Sequence, residues 1–278
     1  MRLAGRLAAW RGIARSIAVY RLDRRHRHSL RRFASGFVRP GELVFDIGAH
    51  VGDRTAAFAG IGARVVAVEA QPRLARLLRW QFWRARQVTV VGAAVGRRAG
   101  TLTLRLNTQN PTVASASDGF VAAASAGASG WEGQVWDETI TVDCTTLDDL
   151  IARFGRPAFV KIDVEGFEVE VMAGLSPENA PAALSFEFVT MDRAPALRAL
   201  QEAVRLGFAR FDVSLGESHE WVFGERQPVE VIEAYLRNLP DEANSGDVYC
   251  WGGRSGGGPA RQSICDEAIS GAPFATFI

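Results

Sequence analysis

Val44-Phe45-Asp46-Ile47-Gly48-Ala49-His50-Val51-Gly52 reads as a buried strand running into a tight turn and then a helix. Glycines there permit close backbone approach and left-handed dihedrals, and open α/β sheets bind ligands at the carboxyl ends of their strands. Outward from this stretch, 43–47 is a strand, 55–60 belongs to the following helix, 64–69 is a second strand, and 72–86 is a helix opened by Pro72. Strands follow at 88–91, 101–106 and 139–143, then a helix at 147–154 and a strand at 159–163. Helices at 167–173, 194–206 and 229–238 alternate with strands at 183–189, 209–214 and 247–251, the last at or near the sheet's edge. Short apolar strands alternating with helices specify an α/β fold, a parallel sheet with helices on both faces.

With 278 residues, 47% of them hydrophobic and 23% charged, the chain can bury a full core. The net charge of +1 offers no electrostatic case for nucleic acid, and none is expected as a partner. That average hides a split: residues 1–40 hold eleven Arg and one Asp, so the rest carries a net charge of −9. Cys144, Cys250 and Cys265 are widely spaced, without a CxxC pair, which disfavours a disulfide framework and a structural zinc site and fits a reducing cytoplasm. No run reaches the roughly 20 apolar residues of a membrane span. Arg2, Arg6, Arg11 and Arg15 interrupt any signal-peptide stretch, so a soluble, unprocessed protein is expected.

Three domains are expected: a basic helical arm at 1–39, a catalytic body at 40–252 with a lid insertion at about 107–138, and a Gly-rich linker and tail at 253–278. In the arm, Leu3, Leu7, Trp10, Ile13, Ile17 and Tyr20 recur at helical spacing, so 2–22 reads as an amphipathic helix. Packing against the body or a twin subunit is favoured over a place on a membrane surface. Residues 24–32 read as a solvated basic segment, with His26 and His28 at the surface. Within 114–130, fourteen of seventeen residues are Ala, Ser or Gly, which reads as a mobile loop. Trp131 and Trp136 at its end either stack on a sugar or aromatic substrate or pin the lid to the body.

The turn itself narrows the ligand. An NAD-type fingerprint needs glycine where His50 and Asp53 stand, and Asp46 would repel a pyrophosphate while attracting a cation. S-adenosylmethionine is such a cation, with an ammonium and a sulfonium. Glu69, at the end of the second strand, can accept two hydrogen bonds from its ribose.

The blocks VFDIGAHVGDRT, VVAVEAQP, VTVVGAAVG, TTLDDL and FVKIDVEGFEVEVMAGL resemble the FkbM family of S-adenosylmethionine-dependent methyltransferases over roughly 40–190, with SFEF around Glu187 and DVYC near the end as weaker extensions. The resemblance implies a Rossmann-like class I methyltransferase fold, with a mostly parallel seven-stranded sheet flanked by helices. It also implies transfer (EC 2.1.1) to a hydroxyl of a sugar, glycan precursor or secondary metabolite. Carried over by position, Asp46, Gly48, Ala49, His50 and Gly52 would hold the methionyl part, Glu69 the ribose, and Gly92, Ala93 and Ala94 the adenine. His50 departs from the asparagine or glycine often found there.

Methyl transfer to oxygen is an in-line displacement that needs alignment, exclusion of water and a base. Asp163 and Glu165, at the carboxyl end of their strand, are the expected catalytic pair, and Lys161, the only lysine, alternates with Asp163 on one face, either orienting it or forming a structural ion pair. Glu187 lies on a neighbouring strand end and is expected at the substrate. These carboxylates can also ligate magnesium, but an acid-lined pocket for a cationic cofactor accounts for them and no metal is assigned. His219 is an alternative base, although a lone surface histidine is the commoner role. Competing readings are transfer to nitrogen or carboxylate, an NAD or nucleotide-sugar oxidoreductase, and a non-catalytic scaffold.

Overall fold

A computed structural model describes residues 24–110, 113–127 and 131–252; the helix expected at 2–22 and the tail at 253–278 lie outside the described residues. The chain begins with α1 (Arg24–Ala34), β1 (Leu43–Ile47), α2 (Asp53–Ile61), β2 (Arg64–Val68), α3 (Pro72–Gln81) and β3 (Val88–Val91). It continues through β4 (Ala94–Val95), β5 (Gly100–Leu106), α4 (Asp118–Ser125), β6 (Glu138–Thr145), α5 (Leu147–Phe154), β7 (Phe159–Ile162) and α6 (Glu168–Ala173). The last elements are β8 (Ala183–Val189), α7 (Arg193–Arg205), β9 (Arg210–Leu215), α8 (Val229–Asn238) and β10 (Ser245–Trp251).

Seven strands form one sheet in the order β3-β2-β1-β7-β8-β10-β9. The first five run parallel, and β10 lies antiparallel between β8 and β9, one place from the edge. All five residues of β1 are buried, as a central parallel strand covered on both faces requires. Phe45, Ile47, Val160, Ile162, Leu184 and Phe186 share one core with residues of α5, α6, α7 and α8. Val44, Val65 and Phe159 pack with Phe58 of α2 and Ala34 of α1 on the other face. The chain builds outward from β1 to β3 and then crosses back to β7. A crevice therefore opens at the carboxyl ends of β1 and β7, where the strand order reverses.

Local signals fix several element ends. Thr146 and Asp149 form a reciprocal capping box at the start of α5, Pro72 opens α3, and Asp192 caps α7.

Two expectations change. The stretch read as a mobile loop folds at 118–125 into α4, capped by the Ser117 side chain. Alanine favours helix, and Phe120, 2% exposed, supplies the anchor that composition concealed. Residues 24–32 are solvated as expected at Arg25, Arg27, His28, Arg31 and Arg32, but they form the helix α1, in which Leu30 is buried and His26 Nε2 meets Asp53 Oδ2 at 2.8 Å. Strands β5 and β6 form where expected and pair with β4 in a separate three-stranded sheet, with β6 bonded to β4 and β5 on its two edges.

Phe120 packs so closely on Gly166 that a Cβ there would lie 2.8 Å from the Phe120 Cβ. Phe120→Ala is expected to lower the unfolding free energy by about 3–5 kcal/mol, measured by urea denaturation. A loss under about 1 kcal/mol would show that α4 is not anchored through this ring.

Candidate functional site

The turn after β1 is made by close approach. Gly48 (φ +82°) and Ala49 donate backbone N–H bonds to Val68 O at 2.9 and 3.0 Å, which ties the turn to the end of β2. A Cβ on Gly48 would lie 1.7 Å from the Asp163 carbonyl oxygen, so only glycine lets the ends of β1 and β7 converge. His50 also takes the left-handed region at φ +48°, and Gly52 (φ +81°) precedes α2 as its N-cap.

Glu69 locks this turn from the side. Its Oε2 accepts from His50 N at 2.8 Å and its Oε1 from Gln71 N at 2.7 Å, so each oxygen keeps acceptor capacity for a further donor. Burial is the main cause of its pKa rising to about 7, against those two backbone bonds. Asp46, 1% exposed, accepts from the Thr55 hydroxyl, and burial raises it to about 6. The His50 imidazole is driven down to about 4 by burial and is therefore neutral at physiological pH; its Nε2 is buried without a partner.

Carboxylates of Asp163, Glu165 and Glu187 meet with ligand atoms all within 4.8 Å of one another, a set able to receive a cationic ligand or a divalent ion. Lys161 lies beneath them, 3% exposed, with its Nζ 2.6 Å from Asp247 Oδ1 and 3.3 Å from Asp163 Oδ2. Burial works to raise Asp163, but the Lys161 charge and a hydrogen bond from Glu187 hold it below the usual carboxylate range. Glu165 and Glu187 go the other way, pushed well up by burial and then by the negative charge of Asp163. Arg54 joins Glu217 through Nη2 at 2.8 Å, and the two line the same cleft.

The loop carrying Glu165 is clamped from three sides. Glu168 Oε1 accepts from Val164 N at 3.1 Å and Gly166 N at 3.2 Å, Ser115 Oγ donates to Glu165 O at 2.6 Å, and Phe120 covers Gly166. Glu165 itself sits at φ +55°, a left-handed conformation that these contacts sustain.

Together these residues line a cleft of about 200 Å³. Asp46, Gly48, Ala49, His50, Glu69, Ala93, Ala94, Asp163, Glu165 and Glu187 all face it. Gly52 and Gly92 stand outside the lining, Gly52 against Leu78 and Phe82 and Gly92 against Arg79. Lys161 is beneath the floor in its ion pairs. Trp131 and Trp136 are turned into the insertion: both meet Phe120 edge-on, at 5.1 and 6.2 Å, and Trp136 Nε1 donates to Val113 O. These contacts lie within the insertion itself, so they are neither the substrate stacking nor the pinning to the body that were expected. His219 is not lone: its side chain is 4% exposed and meets Arg54, Glu217 and Ser29 where α1 crosses the start of α2.

Sequence reading missed the apolar wall. Leu102 and Leu104 from β5, with Ala114 and Ala116, face the cleft beside Ala70, Ala93 and Ala94. Their period-two alternation, L-x-L and A-x-A, was the available signal, but it does not say what the face covers.

The family described as Methyltransferase FkbM domain matches residues 46–192. In sequence, no curated protein matches the chain. Among solved structures, a TehB-like SAM-dependent methyltransferase from Corynebacterium glutamicum is 12% identical, with 90% of this chain and 98% of that one covered and a TM-score of 0.44. Precorrin-6y C5,15-methyltransferase from Geobacter metallireducens is 14% identical, with 80% and 87% covered and a TM-score of 0.42. Fibrillarin from Aeropyrum pernix, with natively bound S-adenosyl-L-methionine, is 10% identical, with 77% and 68% covered and a TM-score of 0.43. Likeness at this level reaches only the general course of the chain.

The raised carboxylates have a measurable consequence. Between the unfolded value of 4.5 and the folded value of about 7, native Glu69 keeps a proton that the unfolded chain has released. Its contribution to stability is therefore present below this window and lost as pH rises through it. The ligand-free protein is expected to melt lower at about pH 8 than at about pH 5.5, and Glu69→Gln to remove of order 1–3 kcal/mol of that dependence. Melting curves across this range that are identical for the two proteins would exclude Glu69 as the titrating group.

Proposed function

The chain belongs to the FkbM methyltransferase family and is an S-adenosylmethionine-dependent methyltransferase; from that premise we propose that it methylates a hydroxyl oxygen of a sugar, glycan precursor or secondary metabolite. The observation that carries the site assignment is the convergence of Asp46, Glu69, Asp163, Glu165 and Glu187 on one cleft around a glycine turn. Such a wall suits a ligand bearing an ammonium and a sulfonium and opposes a pyrophosphate, which speaks against the dinucleotide reading.

When bound, S-adenosylmethionine supplies an electrophilic methyl group on its sulfonium. Asp46 and the Gly48–His50 turn would hold the methionyl end, with Gly52 preserving the turn's shape at the helix start. The spare acceptor capacity of Glu69 suits two vicinal ribose hydroxyls. Backbone groups of Ala93 and Ala94 suit adenine, and Leu102, Leu104, Ala114 and Ala116 give its ring an apolar wall that excludes water.

Asp163 and Glu165 divide the remaining work. Asp163 stays ionised and would accept a hydrogen bond from a second hydroxyl of the acceptor, which orients the molecule for in-line attack by the reacting oxygen, whose own proton points to Glu165. Glu165 has the higher proton affinity and takes the proton as the new carbon–oxygen bond forms and the carbon–sulfur bond breaks. A cation held in the cleft lowers the proton affinity of nearby carboxylates, so occupancy itself readies Glu165 as a base. Lys161 acts on Asp163 and has no contact with the reacting atoms, and Glu187 gives its proton to the hydrogen bond with Asp163.

Calorimetric titration with S-adenosylhomocysteine and with NAD tests the ligand; binding of the first alone is expected, with at least about tenfold weakening in Glu69→Ala. Asp163→Asn is expected to leave that affinity within about threefold while lowering turnover on a hydroxyl acceptor by about a hundredfold or more. Turnover equal to that of the parent would remove Asp163 from the mechanism.

A further inference from the structure

The helical layer formed by α1, α2 and α3 carries a second surface, outside the lining of the cleft. Trp80, in the last turn of α3, is 73% exposed, and Trp83, in the turn that follows, is 70% exposed. Burying either indole would remove a large apolar area from water, yet both stay largely open among the described residues. The next most exposed large apolar side chain among the described residues, Val135, stands at 59% and lies in the insertion.

The surroundings of these tryptophans are wholly basic in sequence. Residues 72–87 hold Arg73, Arg76, Arg79, Arg84 and Arg86 and neither Asp nor Glu, in a body whose net charge is negative. Arg76, Arg84 and Arg86 are exposed, as is Arg79, whose guanidinium reaches back to Gly92, and the Arg84 guanidinium lies 4.4 Å from the centroid of the Trp83 ring. Strand polarity adds to the patch. Arg64 opens β2 and Arg39 precedes β1, so both mark the amino ends of the strands, the pole opposite the cleft, and both are exposed. Arg31 and Arg32, in the last turn of α1, are exposed as well, with Arg31 lying against Gly60 near the end of α2.

We propose that this basic, tryptophan-bearing surface is a docking surface for an anionic lipid bilayer. Indoles combine an apolar body with an N–H donor and settle at the headgroup level, while arginines are drawn to anionic phosphates. Arg84 takes one face of the Trp83 ring, and a pair of exposed indoles among arginines matches the headgroup level of an anionic bilayer, the occupant favoured here over RNA.

The test uses the full chain, with its basic amino-terminal arm intact. Phosphatidylcholine vesicles with and without phosphatidylserine are sedimented with the parent protein and with Trp80→Ser/Trp83→Ser. The parent is expected to pellet only with phosphatidylserine present, and the double variant to bind at least about tenfold more weakly. S-adenosylhomocysteine affinity, unchanged in the variant, confirms that the fold is intact. Lipids brominated in the acyl chains are expected to quench tryptophan fluorescence in the parent and far less in the variant. Equal vesicle binding by both proteins would assign any contact to the arm and overturn the proposal. So would an absence of vesicle binding, whether or not the parent retains an RNA oligonucleotide.

Discussion

The buried ammonium of Lys161 is the charge on which the cleft depends. It is the chain's only lysine, and it sits on β7 with Asp247 at 2.6 Å and Asp163 at 3.3 Å. Burial alone would neutralise it, but the carboxylates around it push its pKa well above the ordinary lysine value, so it remains a cation. That fixed charge lets one carboxylate of a crowded set stay ionised. Asp163 is held low, and its own negative charge then helps to hold Glu165 and Glu187 high. Acids of one chemical type thus acquire different protonation states, the condition for dividing orientation from proton transfer. Removing the ammonium would leave uncompensated negative charge in a buried place, which is far more costly than the ion pairs are stabilising.

A second constraint is steric. Gly48 brings the β1 turn against the Asp163 carbonyl, and Glu69 fastens that turn through His50 N. The groups proposed to hold the cofactor and those proposed to act on the acceptor are therefore parts of one rigid junction. Catalytic alignment benefits from such rigidity, since displacement reactions lose rate steeply when the reacting atoms are misplaced. The insertion shares in this arrangement. Ser115 bonds Glu165 O and Phe120 covers Gly166, so the segment between β5 and β6 supports the loop of the proposed base as well as giving the cleft an apolar wall.

Much of this was legible in the linear sequence. The strand, turn and helix around Gly48 follow from apolar runs broken by glycine, and Asp46, Glu69, Asp163, Glu165 and Glu187 were all placed at strand ends that the structure brings to one cleft. Elements with strong local signals came out at their expected bounds, as with α5 behind its capping box and α8 behind Pro228. Less was legible where the deciding contact is remote. Composition made 114–130 look featureless because a single phenylalanine, meeting a glycine far along the chain, anchors its helix. His219 looked solitary because its partners Ser29 and Arg54 are 190 and 165 positions away.

What the sequence by itself determined is the set of local choices: where strands and helices form, where only glycine can turn the chain, and which residue types stand at the strand ends. Those follow from propensity, periodicity and backbone sterics, which act over a few residues. Only the tertiary structure decided which carboxylate keeps its charge, because proton affinity is set by burial and by distance to neighbouring charges. Lys161 and Asp247 are 86 positions apart, and their meeting across the sheet is a product of the strand order β7-β8-β10.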